Sequence, residues 1–537
     1  MKKKYILIVI AIIAIILVVG AIFLGDSSTE RKSDEIVAAV GAYTREPDMG
    51  YDPTLGYAYS KEPLIQSTLF KRDGNMTLKN DLAKNYTTSS DGKTWTVDIR
   101  DDVKFHDGSK LTAKDVAFTY NKSADAGASV DLTDLTQVKA VNDTQVEFTL
   151  NKSDSSFLFR LSAVGIVPES GYNNETYGQN PIGSGPYKFV QWDKGQQLIL
   201  EVNEDYYGEK PQFKKLTLLF LDDDAAFAAA KKGEVDVAEI PLSYSDEKVN
   251  NMTMVALDSI DTRGISLPNV NNTGEKVNGI DVGNNVTSDE SIRKALNYGI
   301  DRQKLIDGPL KGYGNKSFDG IGLNLPWSNS EAAIEDGNLE KAKKILADSG
   351  WKDTDGDGIL EKNGQKASFT VLYEASDSNR QSLVVSVAEE AKVMGIEILP
   401  EGKSWDEIDT QKLSQPVLWG FGTLDPSTIY HQFYSKLVGS GWDNPASYNN
   451  SAVDQHMEDA LNAPNENASY SYWSQVSYDG TNGISPKADA PWLWLVLMDY
   501  TYFVDDSLDI GDPVVQPHGG NLFGNIHEWK RVNSTSN

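Results

Sequence analysis

The clearest metal-like spacing in this sequence is a run of acids that begins at residue 353. Asp353, Asp355 and Asp357 alternate along the chain and Gly358 follows them, which is how a twelve-residue calcium loop begins. The twelfth position of such a loop holds a bidentate Glu, but here it is Gly364. Glu361 could serve only as a ninth-position ligand. We therefore favour an ordinary turn and predict no metal ion or other cofactor.

The side chains that carry hydrolytic chemistry are absent or scattered. The chain has no cysteine, no Gly-x-Ser-x-Gly sequence and no paired metal-ligand spacing among its five histidines, which are His106, His431, His456, His518 and His527. Paired carboxylates could still form an active site, since 78 acidic residues make chance pairs easy. We predict that the protein is not an enzyme, and a secreted hydrolase stays as an alternative.

The elements that position the side chains are clearest between Leu82 and Tyr120. Within residues 94–100, Trp95, Val97 and Ile99 alternate with polar residues, as in a strand with one buried face. Thr112 precedes Asp115 by three residues, which is the spacing of a helix-capping box. The stretch therefore predicts a strand and a capped helix, and it is scaffold rather than a catalytic segment.

Strand and helix patterns alternate along the rest of the chain. Residues 181–207 predict a tight Gly/Pro crossing followed by a hairpin that turns at Asp193-Lys194-Gly195, and residues 145–150 predict another strand. Residues 224–232 form an alanine-rich helical pattern that ends at Gly233. This alternation is typical of an α/β fold.

The first residues predict a membrane anchor. Residues 6–24 are all apolar and follow Lys2, Lys3 and Lys4. At about 1.5 Å per residue they span roughly 28 Å, close to the hydrocarbon core of a bilayer, and the lysines favour the cytoplasmic side. We predict an anchor at 1–25 and a tether at 26–33, with the remainder exported and held at the outer face of the cell membrane. A cleaved signal peptide is the alternative.

Charge and size narrow the class of protein further. A net charge of -28 argues against binding to nucleic acid or to anionic membrane surfaces. The 537 residues are enough for two or three hydrophobic cores. Asn-x-Ser/Thr sequons such as Asn75, Asn85, Asn121, Asn251 and Asn467 indicate a glycosylated exported surface, or simply an Asn-rich composition. A structural or adhesion glycoprotein would show internal repeats, and the sequence contains none.

Several segments resemble, in the same order, the solute-binding proteins of peptide and nickel ABC importers, extracellular solute-binding protein family 5. The resemblance covers roughly residues 34–531, and the matching segments are those at 82–120, 181–189, 203–223, 231–239, 291–307, 342–364 and 448–461. It implies a monomeric extracytoplasmic receptor that captures an oligopeptide, a dipeptide or a nickel chelate and delivers it to ABC permease subunits.

The resemblance also implies a type II periplasmic-binding-protein-like α/β fold with two lobes. The first lobe would contain 34–66, 182–262 and 486–537, and the second lobe 263–485. A third α/β subdomain, 67–181, would be inserted into the first lobe. Ligand would lie between the lobes and be enclosed when a hinge closes.

Specificity is expected in the segment QPVLWGFGTLDP at 415–426. Peptide-binding relatives carry an Asp three residues after the Trp, where it pairs with the α-amino group of the peptide. Here Gly422 follows Trp419 at that spacing, so Asp425 or an acid elsewhere would have to replace it. The arginines with which nickel-type relatives hold a chelate have no evident match at Gly127-Ala128-Ser129 or Gly165-Ile166-Val167.

Aromatic side chains are the remaining candidates for the walls of the ligand site. Enclosed ligand sites combine aromatic walls with a few polar anchors. For each aromatic taken singly, core packing is the alternative. The candidates are Tyr43, Tyr51, Tyr57, Trp327, Trp419, Phe421, Tyr430 and Trp442, with Trp419 and Tyr43 ranked first.

Overall fold

The computed structural model describes residues 33–41, 46–58, 61, 63–73, 77–127, 130–322 and 325–532. The predicted anchor at 1–25, residues 26–32 of the predicted tether at 26–33, Tyr43 and the sequon at Asn75 lie outside these residues. No helix within the described ranges is long and apolar enough to cross a membrane.

A mixed seven-stranded sheet forms the first lobe. Its first strand, Glu35–Val40, lies in the interior of the sheet and pairs in parallel with two other strands, whereas the remaining pairs are antiparallel. In spatial order the strands are Met252–Leu257, Tyr500–Asp505, Val237–Ile240, Glu35–Val40, Lys215–Phe220, Gln197–Val202 and Tyr187–Asp193. The predicted hairpin is confirmed, because Tyr187–Asp193 and Gln197–Val202 pair with each other. The helix Asp223–Lys231 packs on this sheet.

A smaller unit, here called the insert, is built from the strands and helices of residues 70–163, which lie in the chain between the strands Glu35–Val40 and Tyr187–Asp193. Its antiparallel sheet has the spatial order Ala83–Thr88, Thr94–Ile99, Gln145–Leu150 and Leu135–Asn142, and it also contains the pair Phe70–Arg72 and Leu78–Asn80. The helix Ala113–Ala126 packs on the sheet and Phe157–Ala163 follows it. The predicted capping box is confirmed, since Asp115 accepts a hydrogen bond of 2.8 Å from the N–H of Thr112.

A six-stranded sheet forms the second lobe. Its spatial order is Gly314–Lys316, Trp492–Met498, Thr262–Ser266, Val417–Phe421, Ser368–Glu374 and Glu397–Lys403. Its helices are Glu290–Gly299, Arg302–Asp307, Leu339–Asp348, Ser378–Val393, Trp405–Asp409, Ser427–Phe433, Ser451–Leu461 and Glu466–Ser477.

The shorter elements of the described chain are two-residue strand pairs and 3-10 turns. The strand pairs are Lys276–Val277 with Ile280–Asp281, Glu361–Lys362 with Gln365–Lys366 and Leu508–Asp509 with Lys530–Arg531. The 3-10 turns are Pro53–Leu55, Tyr177–Gln179, Leu242–Tyr244, Ser330–Ala332, Ser435–Leu437 and Ile526–Glu528.

The chain crosses between the two large sheets twice, at 258–261 and at Asp499. The return crossing differs from the boundary at 486 drawn from the sequence. Trp492–Met498 pairs with Thr262–Ser266 in the second sheet, and only Tyr500–Asp505 joins the first sheet. We therefore place the return at Asp499. The sequence alone does not reveal this crossing, because uninterrupted apolar strands lie on both sides of it.

Asp261 is the centre of the crossing region. Its buried carboxylate accepts hydrogen bonds from Tyr500 Oη at 2.7 Å and from His518 Nδ1 at 2.9 Å, and it also contacts Arg263. Burial raises the pKa of this carboxyl, but Arg263 and His518 more than offset that effect and hold the pKa well below its ordinary value. Asp261 therefore stays ionised and ties the two crossing segments together.

Candidate functional site

A cavity of about 190 Å³ lies where the first lobe, the insert and the second lobe meet. Each of the three parts supplies some of its wall. The lining residues are Lys61, Val514, Val515, Pro517 and Asn521 from the first lobe, Lys71, Arg72, Asp73, Val130, Asp131, Phe159, Arg160, Ser162 and Ala163 from the insert, and Thr423, Leu424, Asp425, Ser427, Thr428 and His431 from the second lobe. A larger groove of about 510 Å³ adjoins the cavity and shares Lys71, Arg72, Asp73 and Val514 with it.

The turn after the strand Val417–Phe421 carries the acidic anchor of the cavity. Asp425 Oδ1 accepts a hydrogen bond of 2.8 Å from the N–H of Ser427, which starts the helix Ser427–Phe433. Burial raises the pKa of Asp425, and the charge of Arg160 partly counters this. Asp425 lines the cavity, and the charges of Arg160 and Arg72 act on it although no salt bridge reaches it from the described residues.

His431 lies one helical turn beyond Ser427 and joins the second lobe to the insert. Its Nε2 is 3.1 Å from Asp131 of the insert, and its Nδ1 is 3.1 Å from Asp443 of the second lobe. Burial lowers the pKa of His431, but the two carboxylates raise it to about 9. Because both ring nitrogens face carboxylates, the side chain fits its site as an imidazolium that donates on both sides.

Two arginines of the insert form the basic side of the cavity. Arg160 is buried on the helix Phe157–Ala163, where it contacts Asp154 and lies 3.3 Å from Ser156 Oγ. Arg72 stacks 3.9 Å above the ring of Phe159 and lies 3.5 Å from Glu466 of the second lobe. Burial lowers the pKa of Arg72, and Glu466 opposes that effect. The cavity therefore has acidic and basic groups on separate elements.

Asp425 is the one described residue of the predicted ligand set that lines this cavity. Trp419 is instead a core residue that is 5 % exposed, and its indole N–H donates a 2.9 Å hydrogen bond to Ser266 Oγ. Phe421 stacks on Trp419 and Trp442 packs edge-on against it, with Trp405 as a further member of this aromatic cluster. The cluster lies in the second lobe, where Trp419 and Phe421 belong to the strand that precedes the turn with Asp425.

The other predicted aromatics lie around the cavity rather than in its wall. Trp327 packs edge-on against Phe159 at 5.9 Å between ring centroids, and Tyr430 stacks on Tyr434 at 4.4 Å. Tyr51 and Tyr57 contact each other and face a void of about 50 Å³ in the first lobe. That void shares Lys61 and Asn521 with the cavity, so these two tyrosines are neighbours of the site.

Gly422 is fixed by a close approach between two backbone segments. A Cβ atom at this position would lie 2.4 Å from the carbonyl oxygen of Ile260 and 2.8 Å from the Cα of Asp261. The carbonyl of Gly422 also accepts a hydrogen bond of 2.7 Å from the N–H of His518. An acidic side chain at this position, as in the peptide-binding pattern, does not fit this arrangement.

The sequence analysis missed Arg72, Arg160, Asp131 and His431 as residues of the site. Arg160 is the one charged residue of the largely apolar helix Phe157–Ala163, and this contrast could have marked it as a site residue from the sequence. The pairing of His431 with Asp131 had no such signal, because the two residues are 300 positions apart.

Comparison with known proteins identifies the family. The family model for "Bacterial extracellular solute-binding proteins, family 5 Middle" matches residues 77–441. This chain belongs to the family 5 bacterial extracellular solute-binding proteins. The receptor is 31% identical over 500 residues to "Protein XP55" of Streptomyces lividans, covering 90% of this chain and 87% of that protein. It is also 31% identical to the oligopeptide-binding protein AppA of Bacillus subtilis, over 74% of this chain and 75% of AppA.

A solved structure of the same kind confirms the two-lobed fold of this solute-binding protein. NikZ from Campylobacter jejuni, in complex with Ni(L-His), superposes with a TM-score of 0.75 at 26% identity, over 93% of this chain and 100% of NikZ. The family and the shared fold identify the protein as an extracytoplasmic solute-binding receptor.

Proposed function

We propose that this receptor encloses a small solute in the three-sided cavity and delivers it to the permease of an ABC importer. The observation that carries this proposal is that both lobes and the insert each contribute part of the cavity wall. A solute in that position contacts all three parts at once, so its binding energy favours the arrangement in which they are together.

For the solute we propose a short peptide whose α-amino group pairs with Asp425. This carboxylate lines the cavity and has no salt-bridge partner among the described residues, and its pKa is raised by burial. A bound ammonium would favour its ionised form and would satisfy the charge. The rest of the peptide would lie in the adjoining groove, where Lys71 and Arg72, which also line the cavity, could pair with its carboxylate.

A nickel chelate is the second candidate. It is favoured by the likeness to NikZ, which was solved with Ni(L-His). In this arrangement Arg72 and Arg160 would face the carboxylates of the chelate.

The membrane tether and the oligomeric state belong to the same proposal. We propose that residues 1–25 anchor the receptor at the outer face of the membrane and that it works as a monomer. The uninterrupted apolar run at 6–24 behind three lysines supports the anchor.

The test is to identify by mass spectrometry the solute that copurifies with the protein, and then to screen ligands by thermal stabilisation. The panel is a set of di- to pentapeptides, their N-acetylated forms and Ni(II) with L-histidine. A ligand present at a hundred times its dissociation constant adds about 2.7 kcal/mol of stability. We expect stabilisation by free peptides and none by the acetylated forms.

Asp425→Asn should weaken peptide affinity at least tenfold, and Asp143→Asn, an exposed acid of the insert outside the cavity, is the matched control. Stabilisation by the nickel chelate alone would favour the second candidate. If none of the small solutes stabilises the protein, the proposal that the receptor binds its solute in this cavity is contradicted.

A further inference from the structure

The acidic turn at 353–361 contains a buried carboxylate oxygen that the hydrogen bonds of the turn leave unused. Glu361 is 9 % exposed, and its Oε2 accepts hydrogen bonds from the N–H and the hydroxyl of Thr354 at 2.8 and 2.7 Å. Its Oε1 is buried and accepts no hydrogen bond from the described residues. Backbone hydrogen bonds with Lys352, of 2.7 and 3.0 Å, fix Glu361 in this orientation.

Two other acids lie close to the carboxylate of Glu361. Carboxylate oxygens of Asp353, Asp355 and Glu361 all lie within 4.8 Å of one another. Ca²⁺ binds its oxygen ligands at about 2.3–2.6 Å, so two ligands on opposite sides of the ion are roughly 5 Å apart. The oxygens are therefore already at the separation that a single Ca²⁺ ion spans.

A lysine ammonium lies at the edge of this cluster. Lys366 Nζ is 3.2 Å from Asp355, is in direct contact with Asp357, and is 3.8 Å from Glu361 Oε1, which is beyond hydrogen-bond distance. Four carboxylates, those of Asp353, Asp355, Asp357 and Glu361, oppose this one ammonium, which leaves a net charge of 1 - 4 = -3. Lys366 is 43 % exposed, so its side chain can move into solvent without unfolding the hairpin that carries it.

We propose that Asp353, Asp355, Asp357 and Glu361 form a site for a divalent cation of the Ca²⁺ type, and that the cation displaces the Lys366 ammonium. Carboxylate oxygens alone favour a hard cation, and the irregular arrangement suits Ca²⁺ better than the strict octahedron of Mg²⁺. The cation fixes the loop between the helix Leu339–Asp348 and the hairpin Glu361–Lys362 with Gln365–Lys366. The site is independent of the solute cavity.

Terbium luminescence tests this directly, because Trp351 lies two residues before Asp353 and can sensitise a bound Tb³⁺ ion. We expect saturable Tb³⁺ emission from the purified protein, with displacement by Ca²⁺ and a Ca²⁺ dissociation constant between about 10⁻⁴ and 10⁻³ M, the range of extracellular calcium modules. Calorimetric titration with CaCl₂ provides the second measurement.

Three variants separate a site from a surface that merely attracts cations. Glu361→Gln should weaken Ca²⁺ binding at least tenfold, and Lys366→Met, which keeps every proposed ligand, should strengthen it at least threefold. Asp107→Asn is the control. Asp107 accepts a hydrogen bond from the N–H of Ser109 in a similar exposed turn, and Asp107 is not part of the acidic cluster. Absence of saturable binding to the unmodified protein, or equal affinity in the unmodified protein and Glu361→Gln, would overturn the proposal and leave a turn neutralised by Lys366.

Discussion

Replacing His431 with glutamine removes the imidazolium that joins Asp131 of the insert to Asp443 of the second lobe. The pKa of His431 is about 9 in the folded protein, against about 6.5 in an unfolded chain. A raised pKa means that the stabilisation is complete below about pH 6.5, declines between pH 6.5 and 9, and is lost above pH 9.

The size of the effect follows from the same pKa values. A difference of about 2–3 pKa units at about 1.4 kcal/mol per unit gives an upper limit of about 3 kcal/mol. The side chain is 30 % exposed, so solvent reduces this limit, and we expect about 1–3 kcal/mol. The free energy of unfolding should therefore fall by that amount between pH 6 and 10 in the unmodified protein, relative to His431→Gln.

Urea unfolding at a series of pH values measures the change, and NMR titration of the histidine ring protons gives the pKa. His456→Gln is the control, because His456 contacts a single carboxylate, Asp479, and both residues lie in the second lobe. The reasoning is refuted if His431 titrates near pH 6.5, or if the unmodified protein and His431→Gln lose stability equally between pH 6 and 10.

Two further substitutions test the packing around the cavity. Gly422→Asp should unfold at lower urea concentration and should not gain affinity for peptides, because its Cβ would lie 2.4 Å from the carbonyl oxygen of Ile260; a stable variant that binds peptides more tightly would contradict this. Arg160→Met should cost about 3–5 kcal/mol in the free energy of unfolding, because it leaves Asp154 buried without its partner. The double variant with Asp154→Asn should recover at least half of that loss, and a double variant as unstable as Arg160→Met would show that the pair is not the cause.

Local patterns predicted the scaffold well, because the interactions that form it are close in sequence. The strand Thr94–Ile99 and the cap at Thr112 follow from alternation and from a spacing of three residues. The site differs because its charged groups come from segments hundreds of residues apart. Nothing near His431 in the sequence indicates that Asp131 faces it.

The aromatic residues show a second limit of the sequence. Trp419 has the composition expected of a ligand wall, yet its indole N–H is satisfied by Ser266 and its ring is enclosed by Trp405 and Trp442. A sequence does not distinguish a tryptophan that packs in the core next to a binding segment from one that contacts the ligand. Gly422 stands out in the sequence because it takes the place of the expected Asp, but the reason for a glycine there, its contact with Ile260, requires the fold.

The contacts between the insert and the second lobe explain how a small solute could control the arrangement of the whole receptor. They include the pair of His431 with Asp131, the pair of Arg72 with Glu466, and hydrogen bonds of 2.8 and 2.9 Å from Ser155 to the carbonyls of Ala460 and Leu461. The His431 imidazolium contributes about 1–3 kcal/mol through its two carboxylates, and the attraction in the buried pair of Arg72 with Glu466 is largely offset by the cost of taking both charges out of water. We infer that separating the two parts therefore costs a few kcal/mol, whereas a solute bound with micromolar affinity supplies about 8 kcal/mol. The binding energy of one solute thus exceeds the cost of separation, and these contacts are weak enough to release the solute when the permease favours the open arrangement.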